Sequence, residues 1–281
     1  MYKKVSNEML YAKITGQDFI NACEGGVTGR IHSVFEHAAN IEIKNQPYKL
    51  LTLISKDLDK MSANLVVDLI NDSWKNYLKV NDKIILTKDV LYVENYPLIS
   101  GISKAKKWRK VFDDDNVELK ISNEISSYLC MCVEVEDYIA RKKIHSIAFP
   151  EIHIQDIDPL DYLGNGLGLT PSGDDFLSGL LHGIHFMEEA FRVKCVHLPR
   201  VSKLILSNLD RTGTISQHFL NYSLKSQWSS STEDFLVAFI NKDIENLFKS
   251  IDKKLTIGAS SGFDELNGCL YGIKEYIRNN S

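Results

Sequence analysis

The sequence predicts an α+β protein: a mainly antiparallel β domain over residues 1–110, then a mainly α-helical domain over residues 111–281. Three observations lead there. The first 110 residues hold short β-prone runs separated by turn signals, the pattern of a small sheet or barrel. From Val117 onward the apolar residues fall at helical spacing. Finally, SGDDFLSGLLHGI from Ser172 to Ile184 recurs as SGFDELNGCLYGI from Ser261 to Ile273, offset by 89 residues with eight of thirteen positions identical.

In the β domain, Gly29 to Phe35 alternates toward a strand and Ile41 to Ile43 follows as a second. Asn45-Gln46-Pro47 signals a turn before the apolar run Tyr48 to Ile54. Met61 to Ile70 reads equally as strand or short helix. Asn81-Asp82 precedes a strand over Lys83 to Thr87, and Val90 to Val93 is another. His32 and His37 stand five residues apart, which matches no simple metal spacing, and read as surface or hydrogen-bonded residues. Lys104 to Lys110, KAKKWRK, reads as a solvated linker around one buried aromatic, Trp108; Arg109 is its candidate for a bidentate anion contact. Asp113-Asp114-Asp115 marks a boundary and a helix start.

Val117 to Ile144 is periodic enough for one helix or two. Pro150, Pro159, Asp156, Asp158 and Asp161 break regularity between residues 145 and 163. Later helical runs are Val201 to Leu209, Thr214 to Leu224, Asp234 to Phe239, Ile244 to Ile251 and Ser261 to about Ile277. The polar stretch Ser229 to Thr232 ends in an N-cap before Glu233.

The repeated segment is the part least explained by folding alone. Gly164, Gly166 and Gly168 alternate through a loop, where they admit positive φ and close approach by another group. A helix then starts, with Pro171 suited to the first turn and Ser172 and Asp175 spaced as a capping box. Its apolar positions are Phe176, Leu177, Leu180, Leu181, Ile184 and Met187. Free N–H groups at such a start can bind an anion. Capping alone accounts for Ser172 and Asp175, and Gly179 with Gly183 reads as a helix-packing stripe. It does not account for the loop glycines, nor for Asp174 beside Asp175. Two adjacent carboxylates can hold Mg²⁺ through oxygen or position a substrate nitrogen. The second copy supplies Ser261, Gly262, Asp264, Gly268 and Gly272 at the matching positions. The glycine stripes predict two helices packed closely, with both starts at a single site; the rival is two equivalent capped helices sharing no ligand. His182 falls near the Asp175 face, two turns from the helix start.

Composition narrows the partners. The 281 residues are 44% hydrophobic and 25% charged, with net charge −4 and pI near 6.1, which gives no basic excess for nucleic acid or an anionic membrane. No apolar run approaches a membrane-spanning length and the N-terminus has no apolar signal core, so a cytoplasmic protein is expected. The five cysteines include no Cys-x-x-Cys pair, and Cys130-Met131-Cys132 is too close for ordinary zinc spacing; reduced, mostly buried thiols are expected. No Gly-Lys-Ser/Thr follows the glycine loop, which argues against mononucleotide P-loop chemistry.

GLGLTPSGDDFLSGLL closely resembles the signature of the AllH-type subunit family of oxamate carbamoyltransferase, and SGFDELNG looks like that family's second, weaker motif. Arg211 to Ser216 and Gly29 to Phe35 are also similar to family segments, so the resemblance spans nearly the whole chain. Leu167 stands where many relatives have proline, and Asn165 where a hydrophobe is usual. The resemblance implies carbamoyl transfer between oxalurate and phosphate in anaerobic allantoin breakdown, by a multi-subunit enzyme. On that expectation Asp174 and Asp175 are the catalytic candidates, positioning a substrate nitrogen or holding Mg²⁺. Gly166, Gly168, Thr170, Ser172, Gly173, Arg211, Ser261, Gly262 and Asp264 are the substrate-binding candidates, for a small anionic metabolite such as carbamoyl phosphate or oxalurate. The partners implied are other subunits. The alternative is a non-catalytic metabolite-binding or assembly subunit with the chemistry on partner chains; an independent Mg²⁺-dependent enzyme acting on phosphate ligands is a weaker third. The sequence shows no nucleophile with an adjacent base.

Overall fold

A computed structural model describes residues 9–46, 49–55, 58–69, 73–113, 124–142 and 153–281. The chain divides into two compact units, residues 1–109 and 110–281. Pro47 and Tyr48, Asp114 and Asp115, and the expected helical stretches 117–123 and 143–144 lie outside the described residues, as does Pro150.

The first unit contains β1 (Leu10–Thr15), α1 (Gln17–Glu24), β2 (Thr28–Val34), β3 (Ala38–Ile43), β4 (Leu50–Ser55) and β5 (Asn64–Val67). It continues with β6 (Lys83–Leu86), β7 (Leu91–Val93), β8 (Tyr96–Ser100) and the two-residue β9 (Lys106–Lys107). The strand order is β5-β4-β3-β2-β6-β7-β8-β1, and β1 pairs back onto β5, so eight strands close into a barrel. Closure leaves those strands without a free edge. Most pairings are antiparallel; β4–β5, β1–β8 and β1–β9 are parallel. Along one edge of β1, β8 pairs with Leu10 and Tyr11, and β9 takes over at Ile14 and Thr15.

Ile31, Ile41, Leu51, Leu53, Leu65 and Leu86 are buried. All four residues of β5 are buried, which removes the alternation that would have marked Met61 to Ile70 as a strand. Glu94 and Asn95 both adopt positive φ in the two-residue turn between β7 and β8, the geometry that suits a right-twisted hairpin. Polar groups within the sheet are linked across strands: Asn40 donates to Ser33 Oγ at 2.9 Å, and Thr52 donates to Asn40 Oδ1 at 2.9 Å. His32 meets Ser33 at 3.2 Å, and His37 is exposed.

The second unit is helical. Its described α-helices are α2 (Leu129–Arg141), α3 (Ser172–Phe191), α4 (Leu198–Leu206), α5 (Thr214–Ser223), α6 (Ser230–Ile240), α7 (Ile244–Lys254) and α8 (Ser261–Asn280). α3 is buried on nearly every side and pairs along its length with α8. Leu177, Leu180, Leu181, Ile184, Phe235, Phe239, Trp228, Leu266, Ile273 and Tyr276 belong to the continuous core around this pair. Ser229, not Thr232, caps α6, by accepting from the Thr232 N–H; the helix starts one turn before the sequence suggested. The basic cluster is also not wholly solvated. Lys110 is buried: its Nζ lies 2.8 and 3.0 Å from the Glu189 carboxylate oxygens and 4.7 Å from the centroid of the Trp228 ring.

All five cysteines are free, and Cys23, Cys132, Cys195 and Cys269 are buried. Among the described residues, no helix is long and apolar enough to cross a membrane.

Candidate functional site

The site is built by the way α3 and α8 meet. A Cβ on Gly179 would lie 2.0 Å from the Glu265 carbonyl oxygen, and one on Gly268 would lie 2.0 Å from the Phe176 carbonyl oxygen. One turn further, a Cβ on Gly183 would lie 2.3 Å from Cys269 O, and one on Gly272 2.5 Å from Leu180 O. Real Cβ atoms essentially never come within 3.0 Å of such a neighbour, so only glycine allows the two backbones this close. Contacts advance together along both helices, from 179–265 to 183–269, so the helices run parallel and start at the same end.

That end gathers the hydroxyls and carboxyls of both motifs. Thr170 Oγ1 and Ser261 Oγ are 2.9 Å apart, and both hydroxyls face Asp175. The hydroxyls of Ser172 and Ser260 face Asp264. The arrangement is reciprocal: the α3 serine lies by the α8 aspartate, and the α8 serine by the α3 aspartate. Asp264 is 0% exposed and neither of its carboxyl oxygens makes a well-formed hydrogen bond; Asp175 Oδ2 is likewise buried and unpartnered. Burial pushes the Asp175 carboxyl up to about 8, with Ser261 and Thr170 opposing and the charges of Glu265 and Asp264 adding to the rise. Burial also raises Asp264, against the pull of Ser172 and Ser260.

This geometry replaces the expected capping box. Pro171 occupies the N-cap position of α3, ahead of the first helical turn, and no side-chain hydrogen bond caps the helix. Ser172 and Asp175 face groups of α8 in place of their own backbone, because the glycine stripe brings that helix within reach. Gly173 and Gly262 do not offer free donors to a ligand. The Gly173 N–H donates to Asn165 O at 2.9 Å and that of Gly262 to Ile257 O at 3.1 Å. Each glycine also backs onto a carbonyl, that of Tyr162 or Lys254, at a distance no Cβ permits.

Asp174 and Asp175, adjacent in sequence, serve different partners. Asp174 is buried; its Oδ1 accepts from the Gly164 N–H at 2.8 Å and its Oδ2 accepts from the Thr212 hydroxyl. Asp174 thereby ties the glycine loop to the segment before α5. The two carboxyls do not converge as a shared Mg²⁺ site would require, and among the described residues no group of three or more His, Cys, Asp or Glu is placed to hold a metal.

Gly164, Gly166 and Gly168 adopt φ of 75°, 127° and 98°. Gly166 is pressed against the Ser172 backbone nitrogen, whereas the space beside Gly168 is open. Between and beyond them, Leu167 is 95% exposed and Leu169 60%. Arg211 closes a 3₁₀ turn beside the loop; its carbonyl packs against Gly164, its side chain is exposed, and no carboxylate among the described residues pairs with it.

A second polar network, of which the sequence singled out only His182, lies beneath the helix starts. His182 Nδ1 is 3.2 Å from Glu265 Oε1, and its Nε2 is 2.8 Å from Ser223 Oγ. Lys254 Nζ pairs with Glu265 Oε2 at 2.6 Å, and Thr232 donates to Glu265 Oε1 at 2.6 Å. Burial would raise Glu265, but Lys254 and His182 outweigh it and hold the carboxylate well below its usual range. Burial lowers His182 and favours the neutral ring. The order Ser–His–Glu is that of a nucleophile with its base and orienting acid. Yet Ser223 is 1% exposed and its hydroxyl also reaches Phe219 O at 3.0 Å, so the network serves as a tie among α3, α5, α6, α7 and α8. One sequence signal marks it: the repeat has Glu265 where the first copy has the buried Phe176.

Two family models match the chain. One, described as oxamate carbamoyltransferase subunit AllH, covers residues 162–273; the other, described as the AllH family N-terminal domain, covers residues 6–107. No curated protein and no solved structure matches it.

Proposed function

The chain belongs to the AllH family, and we propose that it is a subunit of an oxamate carbamoyltransferase whose ligand site lies at the starts of α3 and α8. The reaction is oxalurate plus phosphate giving oxamate plus carbamoyl phosphate. A phosphate oxygen bonds to the ureido carbonyl carbon, the carbon–nitrogen bond breaks, and the departing nitrogen keeps the electron pair and takes a proton. Such chemistry needs a place for an anion and a proton donor near neutral pH.

The observation that supports this reading is the reciprocal set of hydroxyls and carboxyls at two parallel helix starts. The 89-residue repeat is then a duplicated loop and helix whose two copies contribute to one site. Asp175, raised to about 8 chiefly by burial, is the group to give a proton to the nitrogen in one direction and remove it in the other. Thr170, Ser172 and Ser261 hold the anionic ligand, carbamoyl phosphate or oxalurate, and Arg211 reaches a carboxylate from the rim. Asp264 completes the pair. Asp174 and Gly164 to Gly168 shape the loop. Partner subunits complete the enzyme, which works in the cytoplasm in anaerobic allantoin and purine catabolism. A specific observation favours an assembly role as well: Leu167 and Leu169 form an exposed apolar tip on the same loop.

The test is a thermal-shift titration of the chain with carbamoyl phosphate, oxalurate and phosphate, beside Ser261→Ala, followed by turnover in the enzyme assembled with its partner subunits. A ligand bound to the native state raises apparent stability by mass action. A saturable shift in the chain, reduced in Ser261→Ala together with turnover, is expected. If Ser261→Ala folds normally, binds undiminished and turns over at the full rate, the ligand site lies elsewhere.

A further inference from the structure

We propose that the starts of α3 and α8 form an oxyanion site in which Asp175 and Asp264 act as neutral hydrogen-bond donors, so that an anion binds together with a proton. The inference rests on the anion-site reading above and adds how the anion is held. Asp264 is fully buried and neither of its carboxyl oxygens makes a well-formed hydrogen bond, although the Ser172 and Ser260 hydroxyls face it; Asp175 Oδ2 is buried in the same way. For an ionised carboxylate in that setting the surrounding hydroxyls do not offset the desolvation. A protonated carboxyl adds an O–H donor where the Thr170, Ser172, Ser260 and Ser261 hydroxyls already gather.

Two parallel helix starts at the same end favour negative charge and oppose a cation. Ionised aspartates would repel an incoming anion, whereas neutral ones recognise it. The charged groups around the pair are consistent with that choice. Glu265 of α8 is neutralised by Lys254 at the end of α7, Asp174 of α3 is bound to Gly164 and Thr212, and His182 of α3 is engaged by Glu265 and Ser223. The upward shift of both aspartates agrees with the geometry.

The ligand class is a tetrahedral or planar oxyanion, and the probe is sulfate, whose charge stays constant where phosphate would itself titrate. Its affinity for the full chain is measured by calorimetry from pH 6 to pH 9.5, in buffers of different ionisation enthalpy. Affinity is expected to be flat below pH 7 and to fall at least tenfold per pH unit above pH 8, with at least one proton taken up per sulfate at pH 9 and none at pH 6.5. Asp175→Asn keeps a donor and removes one titrating group, so its affinity is expected to fall less between pH 6.5 and pH 9 than that of the wild type. Ser172→Ala is expected to weaken binding severalfold without moving the pH midpoint. Sulfate binding that is independent of pH in the wild type overturns the proton coupling and leaves the anion site standing. The same holds if a folded Asp175→Asn loses all affinity. Absence of sulfate binding at every pH, in wild type and variants alike, overturns both readings.

Discussion

Replacing Gly179 or Gly268 by alanine tests the geometry on which the site depends. Each added Cβ would sit 2.0 Å from a backbone carbonyl oxygen of the opposite helix, and ordinary contact begins at 3.4 Å. The contact must therefore open by at least about 1 Å at that point, and by 3.4 − 2.0 = 1.4 Å to reach ordinary contact. Neither side can yield by turning a rotamer, because the obstructing atoms belong to helix backbone. Alanine gains about 1 kcal/mol of helix propensity over glycine. Overpacking a close-packed core costs about 1–3 kcal/mol, and more where the backbone must move. Taking the upper end, each variant is expected to lose at least ~2 kcal/mol net. Gly213→Ala is the control: it sits at φ −73° with open space around it, so only its N-cap position on α5 is at stake and the loss should be no more than ~1 kcal/mol. Urea denaturation followed by far-ultraviolet circular dichroism measures all three. If Gly179→Ala and Gly268→Ala match the wild type while Gly213→Ala stays within that limit, the close parallel contact of α3 and α8 is refuted.

Two further outcomes follow from buried charge. The Asp175 pKa is raised from 3.8 to about 8, so its stabilising contribution is fully present below about pH 4 and is lost as pH rises through about 8. Between pH 5 and pH 8 the wild type should lose up to ~4 kcal/mol more stability than Asp175→Asn, at about 1.4 kcal/mol per pH unit; parallel pH profiles of unfolding would contradict this. Glu265→Gln leaves Lys254, 2% exposed, without its counter-charge and should cost about 3–5 kcal/mol in chemical denaturation; a loss below ~1 kcal/mol would mean the ion pair is not buried in solution.

The order of a β-rich unit followed by a helical one was legible because strands and helices impose different periods on apolar residues. β2, β3, β4, β6 and β7 follow the runs read as strands, and α5, α7 and α8 start at or next to the residues where helical spacing begins. Short or atypical elements escaped. α1 spans eight residues, too few for a strong period, and β8 carries a proline that weakens the alternation. The repeat was equally plain in the residues, and the glycine spacing alone foretold a close helix pair.

What the sequence could not settle is where each polar side chain points. Ser172 and Asp175 have capping-box spacing, but α8 lies close enough to draw them away from their own backbone. Asp174 and Asp175 are neighbours in the chain yet successive positions on a helix, about 100° apart around its axis, so one binds the loop and the other faces α8. His182, Glu265, Lys254 and Ser223 meet only because four different helices converge. Periodicity in a sequence determines which face of an element is buried. The group that a buried side chain meets is decided by long-range packing, and here that packing sets both the protonation of Asp175 and the company of Asp264.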